Sequence, residues 1–281
     1  LMASRDRRVR PHLDDKILTA WNGLMIAAFA RAGAALDEPR YVAAAVRAAE
    51  FIAQRMMTGD GVLMRRFRDG EAAIPGFLDD YAFFGAGLVE LYKATFDPSW
   101  MKLARQVAED LLDLFEDDAD GAFYSTTDAD RDLILRVKDD YDGAEPAGNT
   151  VAIELLLAVH GYTQEERFHE AADRALRAFG MRLTQAAVAM PRLVNAFLEA
   201  RAPHRQVVLA GAEQADLRRE TDRHYLPGAT VVDAERPPFG LDSLRGLEPG
   251  AYVCQDFACQ LPVQKPDELA KLLDYGSQKE S

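Results

Sequence analysis

The chain has 281 residues, of which 48% are hydrophobic and 28% charged, and its formal net charge is −13. This composition is ordinary for a soluble globular protein, and the length allows the core of one or two domains. A strongly acidic chain lacks the clustered Lys and Arg that phosphate binding requires, and we find no run approaching the ~20 apolar residues of a membrane span. We therefore expect a cytoplasmic protein with no nucleic-acid partner and no membrane attachment.

Apolar residues at helical spacing fill most of the chain up to residue 201, in two alternating kinds of segment. Three segments are apolar on nearly every side, as helices buried all round are: 15–33, 77–96 and 150–160. The three segments that follow them each oppose a charged face to an apolar one, as surface helices do: 39–57, 98–116 and 165–179. Gly and Pro separate the segments where hairpin turns would fall.

Strict alternation of inner and outer helices predicts a ring of helical hairpins. We count seven long helices to residue 201, fewer than the twelve of a closed six-hairpin ring. The predicted fold is therefore mainly α: an (α/α) toroid of helical hairpins, that is, a partial six-hairpin barrel. Either the ring is open or further helices precede Leu1.

The pattern changes after Arg201. Apolar residues 207–211, a polar helix-like run 213–224 and a second apolar run 230–232 predict a strand-helix-strand unit, to which 251–254 adds a strand. We therefore expect a small C-terminal α/β unit. The predicted domains are residues 1–203 and 204–281.

Short strand-like pieces precede the second and third inner helices. Residues 62–67 stand just before the turn residues Asp69-Gly70, and residues 121–124 are expected to pair with 133–137. Such pieces would form the rim of the toroid, where loops usually carry function. The basic run 65–68 is interpreted as a solvated surface.

Each inner helix also begins beside polar side chains that recur once per hairpin. If each hairpin repeats one step of the ring, these side chains gather at one end. The candidate site residues are His12, Asp14, Asp15, Trp21, Asn22, Asp79, Asp80, Tyr81, Glu145 and Asn149.

Asp79 and Asp80 are the first candidates for acid-base catalysis. A helix start lowers a carboxyl pKa, whereas burial and a neighbouring like charge raise it, and this conflict tunes a general acid. Successive helical side chains point about 100° apart, so one of the two would face the site while the other caps the helix. Asp14 or Asp15 would supply a second carboxylate, because a pair from different loops can protonate a leaving oxygen and activate water.

The remaining candidates would bind the substrate. Trp21 and Tyr81 would contact a sugar ring, Asn22 and Asn149 would donate hydrogen bonds, and Glu145 lies beside the third helix start. His12 is a further acid-base candidate. The alternatives are that Trp21 belongs to the core and that Asn149 only caps its helix.

Two further residue types carry weaker signals. The histidines are not at metal-ligand spacing and no phosphate-binding loop occurs, so we expect no metal and no cofactor. Cys254 and Cys259 do not form a CxxC pair, and we expect two thiols that are packed or idle, with a redox role left open.

Four motifs together resemble the family of spermatogenesis-associated protein 20 and its bacterial YyaL-type relatives: residues 10–25, 76–82, 142–149 and 252–260. The resemblance implies a thioredoxin-like domain and further helices upstream of Leu1, followed by an (α/α)6 region similar to six-hairpin glycosidases and N-acylglucosamine 2-epimerases. Asp79 and Ala147 stand where family members tend to have Glu and Ser.

These observations favour a carbohydrate-active or carbohydrate-binding domain, acting as a glycoside hydrolase or a sugar epimerase, with a sugar or sugar derivative as ligand. The alternative is a non-enzymatic interaction module that works with the thioredoxin-like domain. In a third interpretation the polar loops only cap helices.

Overall fold

Three helical hairpins follow one another in the computed structural model, which describes residues 2–129, 133–212, 214–239, 241–256 and 258–274. Each hairpin consists of an inner and an outer helix: α2 (Thr19–Ala35) with α3 (Pro39–Arg55), α4 (Leu78–Thr95) with α5 (Pro98–Phe115), and α6 (Gly148–Thr163) with α7 (Glu166–Ala178). A short α1 (Met2–Arg5) precedes them, and α8 (Gly180–Ala186), a 3-10 turn (Ala187–Ala189) and α9 (Pro191–Arg201) follow. The predicted toroid of helical hairpins is confirmed.

Local sequence fixes where the first two outer helices begin. Both α3 and α5 have Pro at their first position, where its missing N–H costs no helical hydrogen bond. The side chain of Glu38 accepts from the N–H of Arg40, and that of Asp97 accepts from the N–H of Ser99 at 2.9 Å. These caps satisfy N–H groups that have no partner within the helix.

The inner helices pack side by side, with α4 between α2 and α6. Residues of α4 such as Leu88 and Tyr92 are fully buried. A Cβ on Gly23 of α2 would lie 2.5 Å from the backbone of Phe83 and Phe84, so the two helices approach to near backbone contact. This close contact is the packing reason for a glycine inside a helix.

The prediction that the first inner helix is buried on every side is wrong. One face of α2 is open, with Trp21 61% and Met25 53% exposed, and Leu36 just after the helix is 68% exposed. The apolar pattern is present, but only α4 packs along α2 among the described inner helices. Helix α2 therefore lies at one end of the arc of hairpins.

A three-stranded antiparallel sheet lies beside the start of α2. Its strands are β1 (Ile17–Leu18), β2 (Met64–Arg68) and β3 (Glu71–Pro75), in the order β1-β2-β3. The turn at Asp69-Gly70 has positive φ at both residues, as a tight hairpin requires. The predicted pairing of 121–124 with 133–137 is wrong among the described residues: Phe123 forms a bridge to Glu116, and only one backbone bond, from Ser125 to Val137, joins the region.

The C-terminal part contains the predicted strand-helix-strand unit. Strand β4 (Arg205–Ala210) pairs in parallel with β5 (Thr230–Asp233) across α10 (Ala215–Arg223). Antiparallel β6 (Gly250–Gln255) and β7 (Ala258–Cys259) complete the order β5-β4-β6-β7; a 3-10 turn (Asp242–Leu244) and α11 (Pro266–Leu273) accompany this sheet. Val207, Leu209 and Val231 belong to the same hydrophobic core as the inner helices, and the division at residues 203 and 204 stays a prediction.

Cys254 and Cys259 form a disulfide bond. The expectation of two separate thiols is therefore wrong. The cause is the strand register, which places the two residues directly opposite each other on β6 and β7. Cys254 is buried, whereas Cys259 is exposed.

Within the described residues, no helix combines the length and the apolar character that crossing a membrane requires.

We expect Gly23→Ala to destabilise the protein by about 1–3 kcal/mol, because the new methyl group would overlap the α4 backbone. Urea unfolding measures the effect. Gly59→Ala is the matched control, since no atom lies within 4 Å of a Cβ there, and it should change stability by less than about 1 kcal/mol. Equal effects of the two substitutions would contradict the close α2-α4 contact.

Candidate functional site

The N-terminal ends of the three inner helices α2, α4 and α6 lie together, with the loops that precede them. We call this end of the helices the mouth. The indole N–H of Trp21 donates to the Glu145 carboxylate at 3.0 Å, which joins the first loop to the third. The N–H of Ala20 donates to Asp80 at 3.0 Å, which joins the first to the second. A Cβ on Gly148 would collide with the Asp79 carboxylate, so the second and third loops also touch. The predicted convergence of the three loops is confirmed.

Asp80 is the structural member of the acidic pair. Its carboxylate is fully buried and accepts from the N–H groups of Ala20 at 3.0 Å and Phe77 at 2.9 Å. The Arg65 guanidinium donates to it at 2.9 Å and lies 4.4 Å from the centre of the Phe77 ring. Burial raises the pKa of Asp80, while these donors oppose the rise. With three donors bound, Asp80 caps α4 and is not placed to meet a ligand.

Asp79 is the member of the pair whose carboxylate has no hydrogen-bond partner among the described residues, and it is half-buried. Burial raises the pKa of Asp79 to about 6, and the negative charges of Asp80, Glu145 and Asp139 add to the rise against the opposing charge of Arg65. The structure therefore separates the two carboxyls in the way their angular spacing predicts.

Trp21 presents the aromatic surface of the mouth. It is 61% exposed, so much of its ring faces solvent. The bond to Glu145 fixes the indole N–H and thereby restricts how the ring can turn. A flat apolar surface is thus held beside a carboxylate, rather than buried in the core.

Three predicted binding residues instead form hydrogen bonds with the backbone of the protein. Tyr81 is 1% exposed and its hydroxyl accepts from the N–H of Leu63 at 3.2 Å. The amide of Asn149 is fully buried; it bonds both the N–H and the C=O of Phe123, at 2.8 and 2.9 Å. Asn22 donates to the C=O of Leu18 at 2.8 Å. The two buried side chains offer no atom to a ligand.

The remaining predicted residues lie at the outer rim in surface ion pairs. Asp14 pairs with Lys16 and Asp15 with Arg68, both at 2.9 Å, and each aspartate is more than half exposed. His12 lies 3.0 Å from the Arg68 guanidinium. Interaction with Lys16 lowers the pKa of Asp14. Asp14, Asp15 and His12 are therefore bound to Lys16 and to Arg68 of strand β2.

Arg65 and Gly148 are site residues that the sequence analysis missed. The interpretation of residues 65–68 as a solvated run is wrong for Arg65, which binds a fully buried carboxylate. Gly148 leaves room for the Asp79 carboxylate where any larger residue would displace it. Arg65 lies on β2 and Asp80 in the first turn of α4, 15 residues later and beyond β3, so no local spacing in the sequence indicated the pair.

Metal-binding clusters and cavities were the other candidate sites in the described part of the chain. No group of three or more metal-binding side chains occurs among the described residues. Two cavities of about 710 and 350 Å³ lie near the opposite ends of the helices, beside Gly33 and Phe96, and share Arg218. None of the predicted site residues lines either cavity.

The fold and the mouth define a class, the (α/α) toroids. The structure is similar to that of cellobiose 2-epimerase from Bacillus thermoamylovorans B4167, with a TM-score of 0.50, 14% identity, and coverage of 60% of this chain and 46% of that chain. At this identity the likeness shows the fold alone.

The sequence comparisons give the family. Human and mouse spermatogenesis-associated protein 20 are each 35% identical to this chain in an alignment 297 positions long that covers 97% of the chain. The resemblance to the spermatogenesis-associated protein 20 family is thereby confirmed, and the chain is a relative of these proteins over nearly its whole length. It spans 38% of the length of each of the two. No family model matches the sequence.

We expect Asp80→Asn to destabilise the protein by roughly 2–4 kcal/mol, because an amide leaves the Arg65 charge and one backbone N–H poorly paired. Urea unfolding at neutral pH checks this. Asp79→Asn, the adjacent control, breaks no hydrogen bond and should not destabilise. A larger loss for Asp79→Asn would reverse the assignment of the two roles.

The raised pKa of Asp79 predicts a pH dependence of stability. Its folded pKa of about 6 exceeds the ordinary value of 3.8, so the folded protein holds a proton that the unfolded chain releases. The contribution of Asp79 is thus greatest below pH 3.8 and is lost as the pH rises through 6, by at most roughly 3 kcal/mol. Unfolding series at several pH values should show this loss in the parent protein, and Asp79→Asn should lack it.

Proposed function

We propose that the protein binds a sugar at the mouth and transforms it by proton transfer, with Asp79 as the acid-base carboxyl. The observation that carries the proposal is the state of Asp79: it is half-buried and has no hydrogen-bond partner among the described residues. It also feels the charge of Glu145, which in turn binds the indole of exposed Trp21. A carboxyl with a pKa of about 6 has both protonation states populated near neutrality. Such a group can donate a proton and take one back.

Trp21 would support the apolar face of the sugar ring. Its exposed indole is fixed from one side by Glu145, and aromatic rings pack well against flat apolar surfaces. Glu145 replaces Asp14 and Asp15 as the second carboxylate of the proposal, because it is bound directly to Trp21 while the two aspartates are paired with cations at the rim.

The reaction is an acid-base step on a sugar, either hydrolysis or epimerisation. The name of the structurally similar cellobiose 2-epimerase states a reaction on a disaccharide, and we extend only the ligand class to this chain. In hydrolysis Asp79 would protonate the leaving oxygen while Glu145 takes a proton from the water that attacks the anomeric carbon. In epimerisation one of the two carboxylates would remove a proton from carbon and the other carboxyl would return one to the opposite face.

A second candidate function is the interaction module. The exposed apolar face of α2, with Trp21, Met25 and Leu36, favours it, because solvent-exposed apolar strips often mark interaction surfaces. In this case the partner would be the thioredoxin-like domain that the family resemblance implies, and Trp21 would contact protein rather than sugar.

Asp79→Asn is expected to leave sugar affinity within about threefold and to lower turnover by roughly 10²–10⁴-fold, because an amide cannot transfer the proton. Trp21→Ala should weaken binding about tenfold or more. Calorimetric titration with mono- and disaccharides, followed by turnover assays on those that bind, measures both effects.

Asp113→Asn is the matched control, since it removes an exposed carboxylate on the outer helix α5, and it should change neither quantity. Sugar binding without turnover in the parent protein would reduce the proposal to carbohydrate binding. If no sugar binds while Trp21→Ala and Met25→Ala weaken association with a thioredoxin-like domain, the second candidate replaces the first.

A further inference from the structure

The charges around the mouth do not cancel. Four cations lie around it, and each already forms an ion pair with the protein: Lys16 with Asp14, Arg65 with Asp80, Arg182 with Asp140, and Arg68 with both Asp15 and Asp69. The N···O distance is 3.4 Å between Arg68 and Asp69 and 2.9 Å in the other pairs. The cations are therefore already used by the protein.

Further carboxylates of the mouth have no ion-pair partner among the described residues. Asp142 accepts from the backbone N–H groups of Ala147 and Arg192, and Asp139 from that of Tyr141. Glu145 accepts only from the neutral indole of Trp21, and Asp79 from no described group. The space around Asp79 is consequently negative, and its own partial burial limits how well water can screen that charge.

The aromatic ring points to the kind of ligand that this charge would attract. The face of an indole attracts cations, and exposed Trp21 is bound through its edge to a carboxylate. An aromatic face beside unneutralised carboxylates is the combination by which proteins recognise protonated amines. A carboxylate or phosphate on the ligand would instead meet like charge, because each of the four cations is already bound to a carboxylate of the protein.

We propose that the sugar recognised at the mouth carries a free, protonated amine, so that the ligand class is amino sugars rather than uronic acids or sugar phosphates. This inference rests on the proposed function, because it concerns the same site. Glu145 is the residue that sets the preference: its carboxylate would lie beside the ammonium group while its hydrogen bond orients Trp21.

Four monosaccharides test the inference by calorimetric titration at neutral pH: glucosamine, N-acetylglucosamine, glucose and glucuronate. Glucosamine should bind roughly tenfold more tightly than glucose or N-acetylglucosamine at low salt, and the difference should shrink at high salt. Glucuronate should bind more weakly than glucose.

Glu145→Gln separates charge from geometry. Glutamine keeps an oxygen that can accept from the Trp21 indole, so the aromatic surface stays in place while the negative charge is lost. The variant should lose most of the preference for glucosamine and keep its affinity for glucose. Glu170→Gln, which neutralises an exposed glutamate on the outer helix α7, should leave the preference intact.

The outcomes distinguish failure of the amine preference from failure of sugar binding itself. Equal affinity for glucose and glucosamine, or an equal loss of both in Glu145→Gln, overturns the amine preference and leaves sugar binding standing. Binding of none of these sugars or of the wider set of saccharides overturns the proposed function and the inference with it. Tightest binding of glucuronate contradicts the charge argument directly.

Discussion

One buried carboxylate connects the elements that build the mouth. Asp80 binds the first turn of α2 through the N–H of Ala20, the start of α4 through that of Phe77, and strand β2 through Arg65. A fully buried charge is costly unless donors surround it, and here three donors do. Because the three elements are non-adjacent in sequence, these bonds add to the close contact at Gly23 in fixing the starts of α2 and α4 and the position of strand β2. The orientation of Asp79 follows, since the preceding side chain on the helix must point in a different direction.

Much of the fold could be predicted because helical periodicity and chain breakers are local signals. The two outer helices that start at Pro39 and Pro98, and the parallel unit of β4 and β5, follow from residues close in sequence. The errors concern non-local pairing. Apolar periodicity shows which faces prefer burial, but not that a neighbour is present to bury Trp21 and Met25. The disulfide likewise depends on the register of β6 and β7, which residue spacing alone does not determine.

The sequence predicted that the candidate residues would lie close together, but not which of them would bind the protein itself. Because each hairpin repeats the same arrangement of an inner and an outer helix, the loops before the inner helices meet, as the bond between Trp21 and Glu145 shows. The fates of Tyr81 and Asn149 depend on backbone groups 18 and 26 residues away, at Leu63 and Phe123, and nothing in their own segments indicates those partners. Polar residues at helix starts therefore predicted that the three loops would meet, but overstated how many of these side chains are free of bonds to the protein itself.

The two adjacent aspartates differ in how the protein stabilises their charge, and this difference supports a functional role for one of them. Asp80 gains three donors and stabilises the helix starts, whereas Asp79 gains none and is penalised when it ionises, as its pKa of about 6 shows. If helix capping were its only purpose, a single carboxylate would suffice, and a second one placed against Gly148 would only reduce stability above that pH. Perturbed carboxyls without structural partners are concentrated at functional sites. The carboxyl of Asp79 lacks a hydrogen-bond partner among the described residues and feels the charge of Glu145, which holds the indole of Trp21; this arrangement supports the proposal that a ligand supplies the missing partner.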